Sequence, residues 1–200
     1  MSSQLFTLPN LITTARLLLA LVVFQLILAG EQVWLCFWLT LVVIAGDFFD
    51  GLVARQWGQS TRFGAWLDIA VDRIVELGYW LVFSVQYGLS SWVPLIFLIR
   101  GVLVDGIRSF AAQSGREAFG PNSMMQSPLG IALVSSRFSR TGYAILKAAA
   151  FGLMILAAAL PSYRPTAELL VWLAVVFCLL RGLPVLIDGL RYLDRPPEPN

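Results

Sequence analysis

The chain has 200 residues, of which 58% are hydrophobic and 13% charged, with a mean hydropathy of +0.77. A soluble domain carries about 25% charged residues, so this chain lacks the side chains to face water all round, and soluble globular, disordered, coiled-coil and fibrous classes are excluded. A net charge of +2 gives no basis for binding nucleic acid, and the absence of histidine removes imidazole as a base, relay or metal ligand.

These properties predict an all-α integral membrane protein. A spanning helix needs about 20 mostly apolar residues. Lipid offers no partners to exposed backbone groups, so such runs are helices. Six runs qualify, at roughly 11–30, 33–54, 64–87, 90–112, 141–160 and 167–190. No basic residue precedes the first, and Arg16 lies within it, which does not fit a signal peptide. Pro9-Asn10 opens a short interfacial segment ahead of it, and Arg16 is expected to snorkel to the headgroups. The second run ends in Asp47, Asp50 and Arg55, and a short turn leads to the third, with Asp68, Asp72 and Arg73. The fourth holds Arg100, Asp105 and Arg108. The stretch 113–140, with Gly115, Gly120, Pro121, Pro128 and Gly130, is expected to be a loop with a short helix. Lys147 falls in the fifth run and Arg181 in the sixth, each able to face a polar cavity or to snorkel. Cys36 and Cys178 sit in apolar runs and read as free, packed thiols. Residues 1–195 are expected to form a single membrane domain, with 196–200 a disordered Pro-rich tail.

Basic residues set the orientation. With the N-terminus in the cytoplasm, that side holds Arg55, Arg62, Arg116, Arg137, Arg140, Arg191 and Arg195, and the opposite loops hold only Arg164. The asymmetry predicts both termini in the cytoplasm.

The ionisable residues inside the spans carry the chemistry. Asp47 and Asp50 are three apart and Asp68 and Asp72 four apart, so each pair shares a helix face. The short turn lets all four carboxylates converge. Intramembrane acids are costly and mark functional sites, and four together need positive charge among them. Arg55 and Arg73 are candidates for that role, and a purely structural ion-pair network is the competing reading. Gly51, Ala54 and Gly64, in register with the acids, leave their face open to a bulky ligand. Hard oxygen donors without His or Cys favour Mg²⁺ or Mn²⁺ over Zn²⁺, and a pair of such ions suits a diphosphate substrate.

Residues 47–55 read D-F-F-D-G-L-V-A-R, and 64–72 read G-A-W-L-D-I-A-V-D. Asp47, Asp50, Gly51, Ala54, Arg55, Gly64, Asp68 and Asp72 stand at the spacing of the CDP-alcohol phosphotransferase signature, and the chain is similar to that family. The resemblance implies six membrane helices and a cytoplasm-facing site. It implies that Asp47, Asp50 and Asp68 hold two Mg²⁺ or Mn²⁺ ions, with Asp72 touching one of them and acting as general base. It further implies that Gly51, Ala54 and Arg55 line the site of a CDP-linked lipid together with Asp50, and that Gly64 gives the nucleotide room. A homodimer through membrane helices is implied as well.

The fourth run, R-G-V-L-V-D-G-I-R from Arg100 to Arg108, resembles the matching span of bacterial phosphatidylglycerophosphate synthases, as does Pro9-Asn10-Leu11-Ile12-Thr13 followed by Arg16. That points to CDP-diacylglycerol as donor and glycerol 3-phosphate as acceptor, with Arg108, Arg137 and Arg140 as the clamp on the acceptor phosphate. Asp105 could instead pair with Arg108, and Arg137 and Arg140 also fit as cytoplasmic topology charges. The sequence departs from those synthases before the fifth run. Arg140-Thr141 stands for a Lys-Thr pair, but Phe138 occupies the position of another lysine. Phosphatidylglycerol, inositol phosphate and serine are therefore alternative acceptors. From other classes, a cation-coupled transporter also uses intramembrane acids, and a catalytically dead scaffold would keep the helices. The compact chain suits a bacterial plasma (inner) membrane.

Overall fold

A computed structural model describes residues 7–56, 61–113, 124–125 and 127–190. They are all-helical, with no strand among the described residues. The helices are α1 (Leu8–Ala29), α2 (Val33–Gln56), α3 (Arg62–Tyr87), α4 (Trp92–Gln113), the single turn α5 (Pro128–Gly130), α6 (Arg137–Ala159) and α7 (Arg164–Gly189). A π-helical turn, Ile131–Ser135, follows α5, and a 3₁₀ turn, Pro161–Tyr163, precedes α7.

Each expected span coincides with a helix, and among the described residues three segments are long and apolar enough to cross a membrane: α1, α6 and Pro161–Gly189. In α2 the described apolar stretch is Val33–Asp47. Asp68, Asp72, Arg73 and Glu76 interrupt α3, and Arg100, Asp105 and Arg108 interrupt α4. Helix α6 begins at Arg137, earlier than the expected residue 141. Ser136 is extended and its hydroxyl accepts from Ser139 N at 3.2 Å, so the start is set by a side-chain cap and not by the edge of the apolar run.

The chain divides into two compact units. The first comprises residues 1–94 and 148–168. Thr7 caps α1, accepting from Asn10 N, and Thr61 caps α3, accepting from Gly64 N at 2.9 Å. Gly30 (φ 72°) and Gly88 (φ 65°) end α1 and α3 in the left-handed region, where a side chain is strained. The core is aromatic. Phe151 stacks on Tyr79 and stands edge-on to Trp80, each at 4.6 Å between centroids, and Phe24 meets Tyr79 edge-on at 4.9 Å. Tyr79 Oη, buried here, donates to Thr40 Oγ1 at 3.0 Å. A β-carbon on Gly78 would fall 2.3 Å from the Phe24 ring, so this glycine is what lets α1 seat against α3.

The second unit comprises residues 95–147 and 169–200. Its core joins Val104 and Ala111 of α4, Met124, Met125, Val134 and Val185 of α7. The Asp188 carboxylate accepts from Ser127 N (3.1 Å) and Oγ (2.9 Å), pinning the segment before α5 to the end of α7.

Candidate functional site

Helices α2 and α3 bring Asp47, Asp68 and Asp72 together: one carboxylate oxygen from each lies within 4.8 Å of the others. Asp68 and Asp72 are one turn apart on α3, so the convergence follows from helix periodicity plus the packing of α2 beside α3. Asp47 and Asp72 remain about half exposed, which leaves their oxygens reachable. Asp50, Gly51, Ala54 and Arg55 continue α2, and their side chains lie outside the described residues.

The cation among these acids comes from α1. Arg16 has a side chain only 3% exposed. Its Nη1 pairs with Asp47 Oδ1, and its Nη2 lies 2.6 Å from Asp72 Oδ1 and 3.8 Å from Asp68 Oδ1. The expected snorkelling is therefore corrected. A guanidinium within reach of three carboxylates makes charge-assisted bonds that offset its desolvation. Its stem runs close to Gly46, where a β-carbon would stand 3.2 Å from Arg16 Cδ and press on it. Arg73, expected to share this role, pairs with Glu76 at 3.2 Å. The signal for Arg16 was an arginine inside an otherwise apolar run; periodicity alone could not say whether it turned inward.

At Gly64 a β-carbon would come 2.6 Å from Asn10 Oδ1 and 3.1 Å from Thr61 Oγ1. Its place in the structure is thus a close approach of α3 to the buried Asn10 of α1. The donor set of Asp47, Asp68 and Asp72, all oxygen and within a few ångströms, fits a hard divalent cation.

The basic residues belong to the second unit. Arg108 Nη1 lies 3.9 Å from Asp105 Oδ1, the local pairing expected from their spacing. Arg137 is exposed at the first position of α6, and Arg140, one turn on, is partly buried. Arg181 is buried rather than snorkelling. Its Nη1 donates to Leu133 O and Ser139 Oγ, both at 2.7 Å. Arg100 and Arg140 are close enough to oppose its charge, and Arg100 Cγ would lie 2.9 Å from a β-carbon on Gly182. Arg100 and Arg181, which lie outside the expected clamp of Arg108, Arg137 and Arg140, thus add positive charge beside Arg140. Lys147 Nζ sits over the Tyr143 ring at 4.7 Å.

A model of the CDP-alcohol phosphatidyltransferase family matches residues 6–180. Among curated proteins, the chain is similar to a CDP-diacylglycerol–glycerol-3-phosphate 3-phosphatidyltransferase of Cereibacter sphaeroides, 36% identical over 111 residues, or 52% of this chain and 50% of that protein. It is similar to proteins of the same name from Pectobacterium atrosepticum, 32% identical, and Escherichia coli K12, 31% identical, each over 56% of this chain and 64% of the relative. The matched stretch therefore spans between half and two thirds of the length of these relatives.

Proposed function

The chain belongs to the CDP-alcohol phosphatidyltransferase family, and from that premise we propose that it moves a phosphatidyl group from CDP-diacylglycerol to glycerol 3-phosphate, releasing CMP. The observation that carries this reading is the convergence of Asp47, Asp68 and Asp72 oxygens within 4.8 Å on the two helices that bear the signature. The names of the relatives support glycerol 3-phosphate as the acceptor.

Two Mg²⁺ or Mn²⁺ ions held by Asp47, Asp50, Asp68 and Asp72 would neutralise the donor diphosphate and the departing CMP. Asp72 takes the proton of the acceptor hydroxyl as that oxygen bonds to the lipid-side phosphorus. The bond from this phosphorus to the bridging oxygen breaks, and CMP carries the electron pair away. Gly51, Ala54, Arg55 and Gly64 line the donor site in this reading. Arg108, Arg137 and Arg140 hold the acceptor phosphate, with Arg100 and Arg181 adding positive charge in the same unit. The family match runs through both compact units, which supports treating residues 1–195 as one domain. Six spans, cytoplasmic termini, a homodimer and an inner-membrane location complete the proposal.

Purified protein supplied with CDP-diacylglycerol and, in turn, glycerol 3-phosphate, phosphatidylglycerol, inositol phosphate and serine tests it by CMP release. CMP release with glycerol 3-phosphate alone, abolished by chelator, is expected. Release with another acceptor in its place would reassign the substrate, and no release with any would defeat the reading.

A further inference from the structure

We propose that Arg16 is a built-in counter-cation of the carboxylate cluster, which competes with divalent ions for it and weakens their binding. The proposal rests on the metal reading given above and names a residue of this chain that sets the terms of metal loading.

The argument starts from charge. Asp47 and the pair Asp68 and Asp72 come from different helices, yet their oxygens stand within 4.8 Å of one another. Like charges at that distance repel, and the repulsion is relieved by a shared proton or by a cation among them. Arg16 supplies it from α1, one guanidinium nitrogen to each side: Nη1 to Asp47 and Nη2 to Asp72 at 2.6 Å. The fork is suited to bridging two carboxylates, which a point-like ammonium is not. Its stem lies along Gly46, where any β-carbon would crowd it.

A divalent ion ligated by Asp47 and Asp72 seeks the oxygens that Arg16 already holds. Even where an ion takes the other oxygen of each carboxylate, it meets a positive guanidinium a few ångströms away. Arg16 and the ion are therefore competitors. Arg16 holds three helices together before loading, and it weakens the affinity with which ions are then held.

The test uses the full chain in nanodiscs and reads Mn²⁺ binding by electron paramagnetic resonance, with thermal unfolding in excess chelator. Losing charge-assisted contacts of this kind changes an equilibrium by about ten- to a hundredfold. Arg16→Gln should therefore bind Mn²⁺ more tightly than wild type by about that factor. In chelator it should melt at a lower temperature, the gap narrowing at saturating Mn²⁺. Mn²⁺ affinity equal to or weaker than wild type would overturn the proposal. Should Arg16→Gln fail to fold, Arg16→Lys decides: one ammonium cannot bridge both acids, so tighter binding than wild type supports the proposal and equal or weaker binding overturns it. The two readings separate cleanly. Wild-type protein that binds Mn²⁺ while the Arg16 variants match it defeats the counter-cation alone. Wild-type protein that binds no Mn²⁺ defeats the metal reading and the counter-cation together.

Discussion

Asp72 lies 2.6 Å from Arg16 and yet keeps half its side-chain surface open, so its carboxylate is free to exchange that partner for an ion or a substrate. Asp72→Asn keeps the shape but cannot accept a proton, so transfer should fall by about 10²–10⁴-fold with CDP-diacylglycerol binding retained. Turnover assays beside donor-binding isotherms check this, and wild-type turnover would remove Asp72 from the chemistry. Gly64 gives a prediction of another kind. Alanine there would push a β-carbon to 2.6 Å from Asn10 Oδ1, and overpacking of this sort costs about 1–3 kcal/mol. A lowered melting temperature is expected. An unchanged one would mean that Asn10 yields freely, leaving donor room as the better account of the glycine.

Among the helices, α3 and α6 show how local chemistry sets the site. Thr61 caps α3 just ahead of Gly64 and Asp68, and Thr61→Ala should destabilise that end by about 1 kcal/mol, read as faster amide exchange over the first turns. At α6 the cap comes from Ser136, which places Arg137 and Arg140 on the first turn of a helix and not in a loop. The apolar run could not reveal that start, because Arg137, Ser139 and Arg140 are polar and the π-helical turn before them has no sequence period of its own. Arg108→Ala, Arg137→Ala and Arg140→Ala should each raise the acceptor KM by about ten- to a hundredfold and the CDP-diacylglycerol KM much less. The donor diphosphate has other groups to neutralise it, whereas the acceptor phosphate relies on arginine. Equal effects on both substrates, or none, would reduce these residues to topology charges.

For the molecule as a membrane protein, the helix content and the meeting of the acids were legible in the sequence, because both follow from periodicity. Asp47, Asp68 and Asp72 needed only helix geometry and a short turn to be placed together. Arg16 and Arg181 were not legible in the same way. Each is a long side chain in an apolar run, and whether it turns outward to headgroups or inward to acids and carbonyls depends on partners on other helices. The orientation in the membrane is an expectation from the distribution of basic residues, and it is open to direct measurement. Arg164 alone among the loop arginines falls on the expected outer side. In intact cells, with Cys36 and Cys178 replaced by serine, an impermeant thiol reagent should label Ser162→Cys and leave Ser3→Cys unlabelled. The reverse pattern would invert the topology.

Gly46 carries a consequence for heredity. It stands next to the first acid of the signature, but its tolerance is governed by a side chain on another helix, since alanine there would meet Arg16 Cδ at 3.2 Å and Cγ at 3.3 Å. The two positions are therefore epistatic. Gly46→Ala should be harmful in the presence of Arg16 and much less so beside Arg16→Ala, where only the backbone-proximal carbon remains at 3.7 Å. A double-mutant cycle on melting temperature should return a coupling of about 0.5–3 kcal/mol, so that the mutational path open to position 46 depends on which residue occupies position 16 when the change arrives.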